Sequence, residues 1–173
     1  MRFDPVSAEC LVLTFKEGLL SAMGHDLKIR VTRFTVDVDE EQWRVDGRFD
    51  AASLRVVCAV RDGVDAHGEL GGTDKRRIEE TIIRDVLQAE RYPEIRFVST
   101  SASARAGELA IKGILALHGR ARELVVEARR EDGAWNAVAC VHQPDFGIRP
   151  YSAMLGTIRL QPDVTVRIVA RLT

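Results

Sequence analysis

The sequence is short of the residues that catalysis usually requires. It holds three cysteines, Cys10, Cys58 and Cys140, and none is in CxxC spacing. An odd, scattered set fits neither a disulfide framework nor a zinc ribbon. All three lie in strand-like stretches and read as small buried hydrophobes in a reducing compartment. The four histidines, His25, His67, His118 and His142, form no HxxxH or HxH pair. Spacing therefore predicts no metal site. His25 and His118 stand at turns beside glycines and read as hydrogen-bonded turn residues. No serine occupies a nucleophile elbow, and no cysteine is placed for activation by a base. Gly71-Gly72-Thr73 resembles an anion-binding loop only loosely. No catalytic residue is assigned.

Charge of one sign is missing too. Among 173 residues, 25 basic residues face 26 acidic ones, for a net charge of -1. Nucleic-acid binding needs a basic footprint that such a balance does not supply. No apolar run reaches the length of a membrane span or signal peptide, so the expected address is the cytoplasm, with no integral membrane segment. Repeats, linkers and low-complexity runs are absent as well. A hydrophobic content of 46% suits one domain over residues 1–173 with a real core.

What the chain has is alternation. Ile95, Phe97 and Ser99 alternate with Arg96, Val98 and Thr100. Leu109, Ile111, Leu115 and Leu117 share one parity, and Val164, Val166, Ile168, Ala170 and Leu172 share another. Successive side chains of a strand point to opposite faces, so a period of two predicts sheet with one apolar face. Leu27, Ile29 and Val31 also alternate, and Phe34, Val36 and Val38 continue with opposite parity. The slip at Thr32–Arg33 predicts a β-bulge, which bends a strand as barrel closure requires. Asp132-Gly133 is a hairpin signal, and Arg61 to Gly72 reads as a flexible loop. One segment changes period. Ile78, Ile82 and Val86, flanked by Ile83 and Leu87, predict a helix near 73–88. Thr73 or Asp74 would be its N-cap, and Arg76–Glu80 and Glu80–Arg84 its i,i+4 pairs. The fold class is all-β with one helix: an antiparallel up-and-down barrel of about eight strands.

Three segments also carry a resemblance. Tyr92-Pro93-Glu94-Ile95-Arg96-Phe97-Val98-Ser99-Thr100 resembles the YP-x-I-x-F-x-ST segment of the YceI-like family. Gly113 to Gly119 is similar to its G-x-L-x-x-HG hairpin, and Asp145-Phe146-Gly147-Ile148 to its DFGI segment. All three stand in the family's order, and the resemblance covers nearly the whole chain. Asp145-Phe146-Gly147 is not the kinase triplet, because no glycine-rich loop or HRD segment accompanies it. The resemblance implies a lipocalin-like barrel whose interior holds an isoprenoid chain, with no metal or cofactor and no catalytic set. The chain departs from better-known members at Gly24-His25-Asp26-Leu27, where a His-Ser-type strand start is usual.

The expected function is non-catalytic binding of an apolar, isoprenoid-type lipid. The candidate barrel lining is Leu27, Ile29, Val31, Leu54, Val56, Phe97, Leu115, Leu117, Val166 and Ile168. The candidate mouth is His25, Phe146, Arg149 and Tyr151, and Lys75, Arg76 and Arg77 could clamp a pyrophosphate beside Arg149. Two other readings stay open. An enzyme using the cavity predicts an inward His, Cys or carboxylate. A structural or partner-binding module predicts a barrel filled by its own side chains. Unpaired sheet edges also leave a homodimer open.

Overall fold

In the computed structural model, residues 1–17, 25–105, 107–153 and 158–171 are described. Gly24 and Leu172 lie outside them. In chain order the elements are β1 (Arg2–Phe3), β2 (Ala8–Thr14), β3 (Lys16–Glu17), β4 (Asp26–Val31), β5 (Phe34–Asp39), β6 (Arg44–Asp50), β7 (Leu54–Arg61) and β8 (Val64–Ala66). Helix α1 (Gly72–Thr81) follows and runs on as a π turn over Ile82–Val86. Next come β9 (Glu94–Arg105), β10 (Glu108–Leu117), β11 (Arg120–Glu131), β12 (Ala134–His142) and a 3₁₀ turn (Gln143–Phe146). The last elements are β13 (Ser152–Ala153), β14 (Ile158–Leu160) and β15 (Asp163–Arg171).

The architecture is antiparallel β with one helix. The main sheet has twelve strands in the order β1-β5-β6-β9-β10-β11-β12-β15-β2-β4-β7-β8, not the eight expected, and β13-β14-β3 form a small second sheet. The higher count has a local cause. Only Thr32 and Arg33 separate β4 from β5, and only 51–53 separate β6 from β7. β5 pairs with β6 while β4 pairs with β7, so one bend splits two long chain segments into four strands. Short β1 and β8 add the edges.

Ser53 holds that bend. Its side chain is fully buried, and its Oγ donates to the Asp50 carbonyl (2.8 Å) and accepts from Arg33 N–H (3.1 Å). The Ser53 carbonyl accepts from Thr32 N–H (3.0 Å) and Thr32 Oγ1 (2.8 Å). Backbone groups released by the parity slip are thus re-paired rather than left orphaned, as buried groups must be. Two more register shifts occur, at Lys28/Ile29 against β7 and at Lys112/Gly113 against β9. At the second, a Cβ on Gly113 would stand 2.4 Å from Phe97 Cζ and 2.5 Å from the Val98 carbonyl oxygen. Only glycine lets the two strands approach this closely.

The turns are built from residues with positive φ. Asp62-Gly63, His118-Gly119 and Asp132-Gly133 each place two such residues in succession, the requirement of a type I′ hairpin. The first folds β8 back on β7, so part of the stretch over 61–72 expected as a flexible loop is strand. The helix also starts earlier than expected. Its N-cap is Gly71, whose N–H donates to Asp74 Oδ2 (3.3 Å), so Asp74 serves at N3 and Thr73 lies inside the helix. The expected Arg76–Glu80 and Glu80–Arg84 pairs are replaced by one between neighbours, Arg84 and Asp85 (2.7 Å). Gln88 ends the helical run with φ 48, and Pro93 follows.

Alternation sorts the cysteines differently from the sequence reading. Cys10 and Cys58 are buried, but Cys140 is exposed. Its neighbours Ala139 and Val141 take the inner face of β12, which turns Cys140 outward.

Candidate functional site

The inner sheet face and the helix surround a cavity of about 670 Å³. Nine of the ten lining positions read from alternation face it: Leu27, Ile29, Val31, Leu54, Phe97, Leu115, Leu117, Val166 and Ile168. Val56 does not. It is buried with Ile78 and Ile82 where α1 packs on β7. The helix is tied down at that place. Val56 N–H donates to Glu79 Oε1 (2.8 Å), and Lys75 Nζ donates to the Val57 carbonyl (2.7 Å). Both contacts serve backbone groups beside the β7 register shift.

The helix supplies lining that the sequence reading left out. Ile78, Ile82, Val86 and Leu87 all face the cavity. Their 3.6-residue stripe was legible, but periodicity marks an apolar face without telling what it covers. At the far end Trp43 and Trp135 meet edge to face, with ring centroids 5.8 Å apart. Both line the cavity as well.

Polar lining gathers at the opposite end. Register places Thr14, Leu27, His142 and Asp163 together there, away from Trp135 and Ala170. Of the four expected mouth residues, His25 and Tyr151 line the cavity. His25 Nδ1 lies 3.1 Å from Glu69 Oε2, and Glu69 Oε1 lies 2.6 Å from Arg61. A carboxylate, not backbone, thus holds this histidine. Phe146 and Arg149 are not part of the lining. Phe146 is buried behind the rim, where the 3₁₀ turn packs on β11, and Arg149 faces solvent. The expected basic clamp does not assemble. Lys75 is engaged at Val57, Arg76 is exposed, and Arg77 alone of the four faces the cavity.

The three motif segments of the sequence meet behind this rim. The Tyr92 ring lies against the His118 ring, and His118 Nδ1 lies 3.3 Å from the Phe146 carbonyl oxygen. That carbonyl accepts a hydrogen bond from the Nδ1–H tautomer. A Cβ on Gly147, whose φ is 72, would stand 2.8 Å from the Arg120 guanidinium carbon. The YP, HG and DFG segments therefore form one packed cluster.

A protein-family comparison matches the YceI-like domain over residues 13–172. The chain belongs to the YceI-like family. Solved structures with the same fold include BcnA of Burkholderia cenocepacia, at TM-score 0.67 and 16% identity, covering 98% of this chain and 99% of that one. The Campylobacter jejuni YCEI protein aligns at TM-score 0.52 and 13% identity over 84% of each chain. A cysteine mutant of CJ YCEI, solved with a monobromobimane guest, aligns at TM-score 0.54 and 13% identity over 84% of each chain. At these identities the likeness speaks for the fold. No match was found among curated proteins. Among the described residues, no helix of this YceI-like chain is long and apolar enough to cross a membrane.

Two other features bear on chemistry. Cys10 lines the cavity, but burial pushes its thiol up to about 12, so it is protonated and not nucleophilic at neutral pH. Outside the cavity, Cys58, Asp65 and His67 bring three donor atoms within 4.8 Å of one another. The β7–β8 hairpin creates this group, which is why sequence spacing missed it. The Lys28 ammonium already sits 2.5 Å from Asp65, and a cation entering there would have to displace it.

Proposed function

We propose that this YceI-like chain binds and carries an apolar, isoprenoid-type lipid in its interior, in the cytoplasm and without catalysing a reaction. The observation that carries the reading is the cavity of about 670 Å³ with its aliphatic and aromatic wall. Ligand pockets of small proteins span roughly 300–1,000 Å³ and are mostly apolar. Each ligand methylene transferred from water to such a wall contributes about 0.8 kcal/mol, so a long tail gains affinity step by step. Within this reading, β4–β5 and β6–β7 act as two continuous bent strands of an eight-stranded lipocalin-like barrel in one domain. The ladder supports it, because β2, β4–β5, β6–β7, β9, β10, β11, β12 and β15 then pair in a ring.

Membership of a family of binding proteins supports the same reading. An enzyme would need an activated group inside the cavity. Cys10 is protonated, and Asp50 lies 2.7 Å from Arg33. A barrel filled by its own side chains would leave no space of this size.

Native mass spectrometry of the purified protein, followed by lipid extraction, tests the proposal. The expected result is a co-purifying apolar molecule, or displacement of a fluorescent lipid probe by isoprenoid chains. Neither a bound molecule nor displacement would sink it.

A further inference from the structure

At the cavity's polar end the Thr14 hydroxyl has no partner among the described residues. Thr14 is 8% exposed. It closes β2 directly opposite Leu27, so both take the inner face. His25 lies two positions from Leu27, on the same parity, and also lines the cavity. A buried hydroxyl without a partner is costly, and such groups are normally satisfied by protein, water or ligand.

Several charges near this end are already matched. Arg61 is held by Glu69, Asp50 by Arg33, and Lys28 by Asp65. Arg77 is the single lysine or arginine among the described lining residues. A pyrophosphate asks for several convergent, unspent cations. It would find one here.

Resting on the carrier reading, we infer that the lipid's head is an uncharged hydrogen-bonding group, a hydroxyl or a carbonyl, received by Thr14 Oγ1 with His25 beside it. Thr14 Oγ1 can donate to a carbonyl or accept from a hydroxyl, so either head satisfies it. The tail then runs toward Trp43 and Trp135.

The test compares three probes that share one C20 tail: geranylgeraniol, geranylgeranyl pyrophosphate and the corresponding hydrocarbon. Each displaces a fluorescent apolar dye from the full chain. The alcohol is expected to bind about tenfold more tightly than either of the others, since one well-made hydrogen bond in a dry site is worth about that factor. Thr14→Val should bring the alcohol-to-hydrocarbon ratio close to one, while Thr14→Ser should keep it. Pyrophosphate binding as tight as the alcohol's, or a ratio unchanged in Thr14→Val, overturns the inference and leaves the carrier reading standing. Should Thr14→Val fail to fold, Thr14→Ala, which also lacks the hydroxyl, supplies the deciding ratio. Failure of all three probes overturns the carrier reading and the inference with it.

Discussion

The Tyr92 ring rests on the His118 imidazole, with centroids 4.6 Å apart and planes inclined at 52°. Twenty-six positions of chain separate them, including all of β9 and β10. The contact is possible because His118 takes φ 52 and Gly119 φ 73, a turn that brings β10 back as β11 beneath the ring. A Cβ on Gly119 would lie 2.6 Å from Tyr92 Cε1. Gly119→Ala meets both a conformational and a steric penalty. We expect a stability loss of about 1–3 kcal/mol, read by chemical denaturation. A loss below about 0.5 kcal/mol would show that the ring moves aside freely.

Thiol labelling should sort the three cysteines by face. In native protein at pH 8, Cys140 should react with iodoacetamide, while Cys10 and Cys58 react only after denaturation. Cys10 is 1% exposed with a thiol pushed up to about 12, and burial also raises the Cys58 thiol. For a thiol so shifted, roughly one molecule in ten thousand carries thiolate at pH 8. Peptide mass mapping reads the outcome, and rapid native labelling of Cys10 would contradict its placement.

Stability at acid pH should depend on Asp46. Arg96 grips this carboxylate through two nitrogens, at 3.1 and 2.7 Å, and holds its pKa below the ordinary 3.8. The unfolded chain therefore takes up the proton first. The pair's contribution is present above 3.8 and is lost as pH falls through the lower folded value. Asp46→Asn should cost less than about 1 kcal/mol at neutral pH, since the pair is partly exposed to solvent. The difference from the unmodified protein should vanish well into the acid range. A difference that grows on acidification would reverse the assigned sign.

Filling the cavity should separate binding from folding. Ala139 is buried on the inner face of β12 and lines the cavity. Ala139→Phe places a ring into that space, so the chain should fold with its melting temperature within a few degrees of the original. Affinity for the fluorescent lipid probe should fall at least about tenfold. Unchanged affinity would move the lipid site elsewhere.

Much of this was legible in one dimension. Leu109, Ile111, Leu115 and Leu117 announce their face by alternation, and all four are buried. The slip at Thr32–Arg33 is visible as a change of parity, and a strand boundary falls there. The same method failed where contacts with another element decide. Val56 has the right parity but is covered by α1, and Asp62-Gly63 lies inside a glycine-rich stretch that carries no alternation. The basic residues near the helix could not be assigned partners, because Lys75 and Glu79 turn to β7 rather than to each other's turn of helix.

By itself the sequence determined most of the inward-facing side chains, most of the reversals and where its one helix runs. These follow from stereochemistry within a few residues: the two-residue period of a strand, the positive φ of Asp-Gly and His-Gly turns, and the 3.6-residue stripe of a helix. The tertiary structure alone decided that the inward face encloses space instead of packing on itself. It also decided that the Thr14 hydroxyl has no partner among the described residues and that Tyr92, His118 and Phe146 meet. Those outcomes depend on distances between residues far apart in the chain, which no local periodicity encodes.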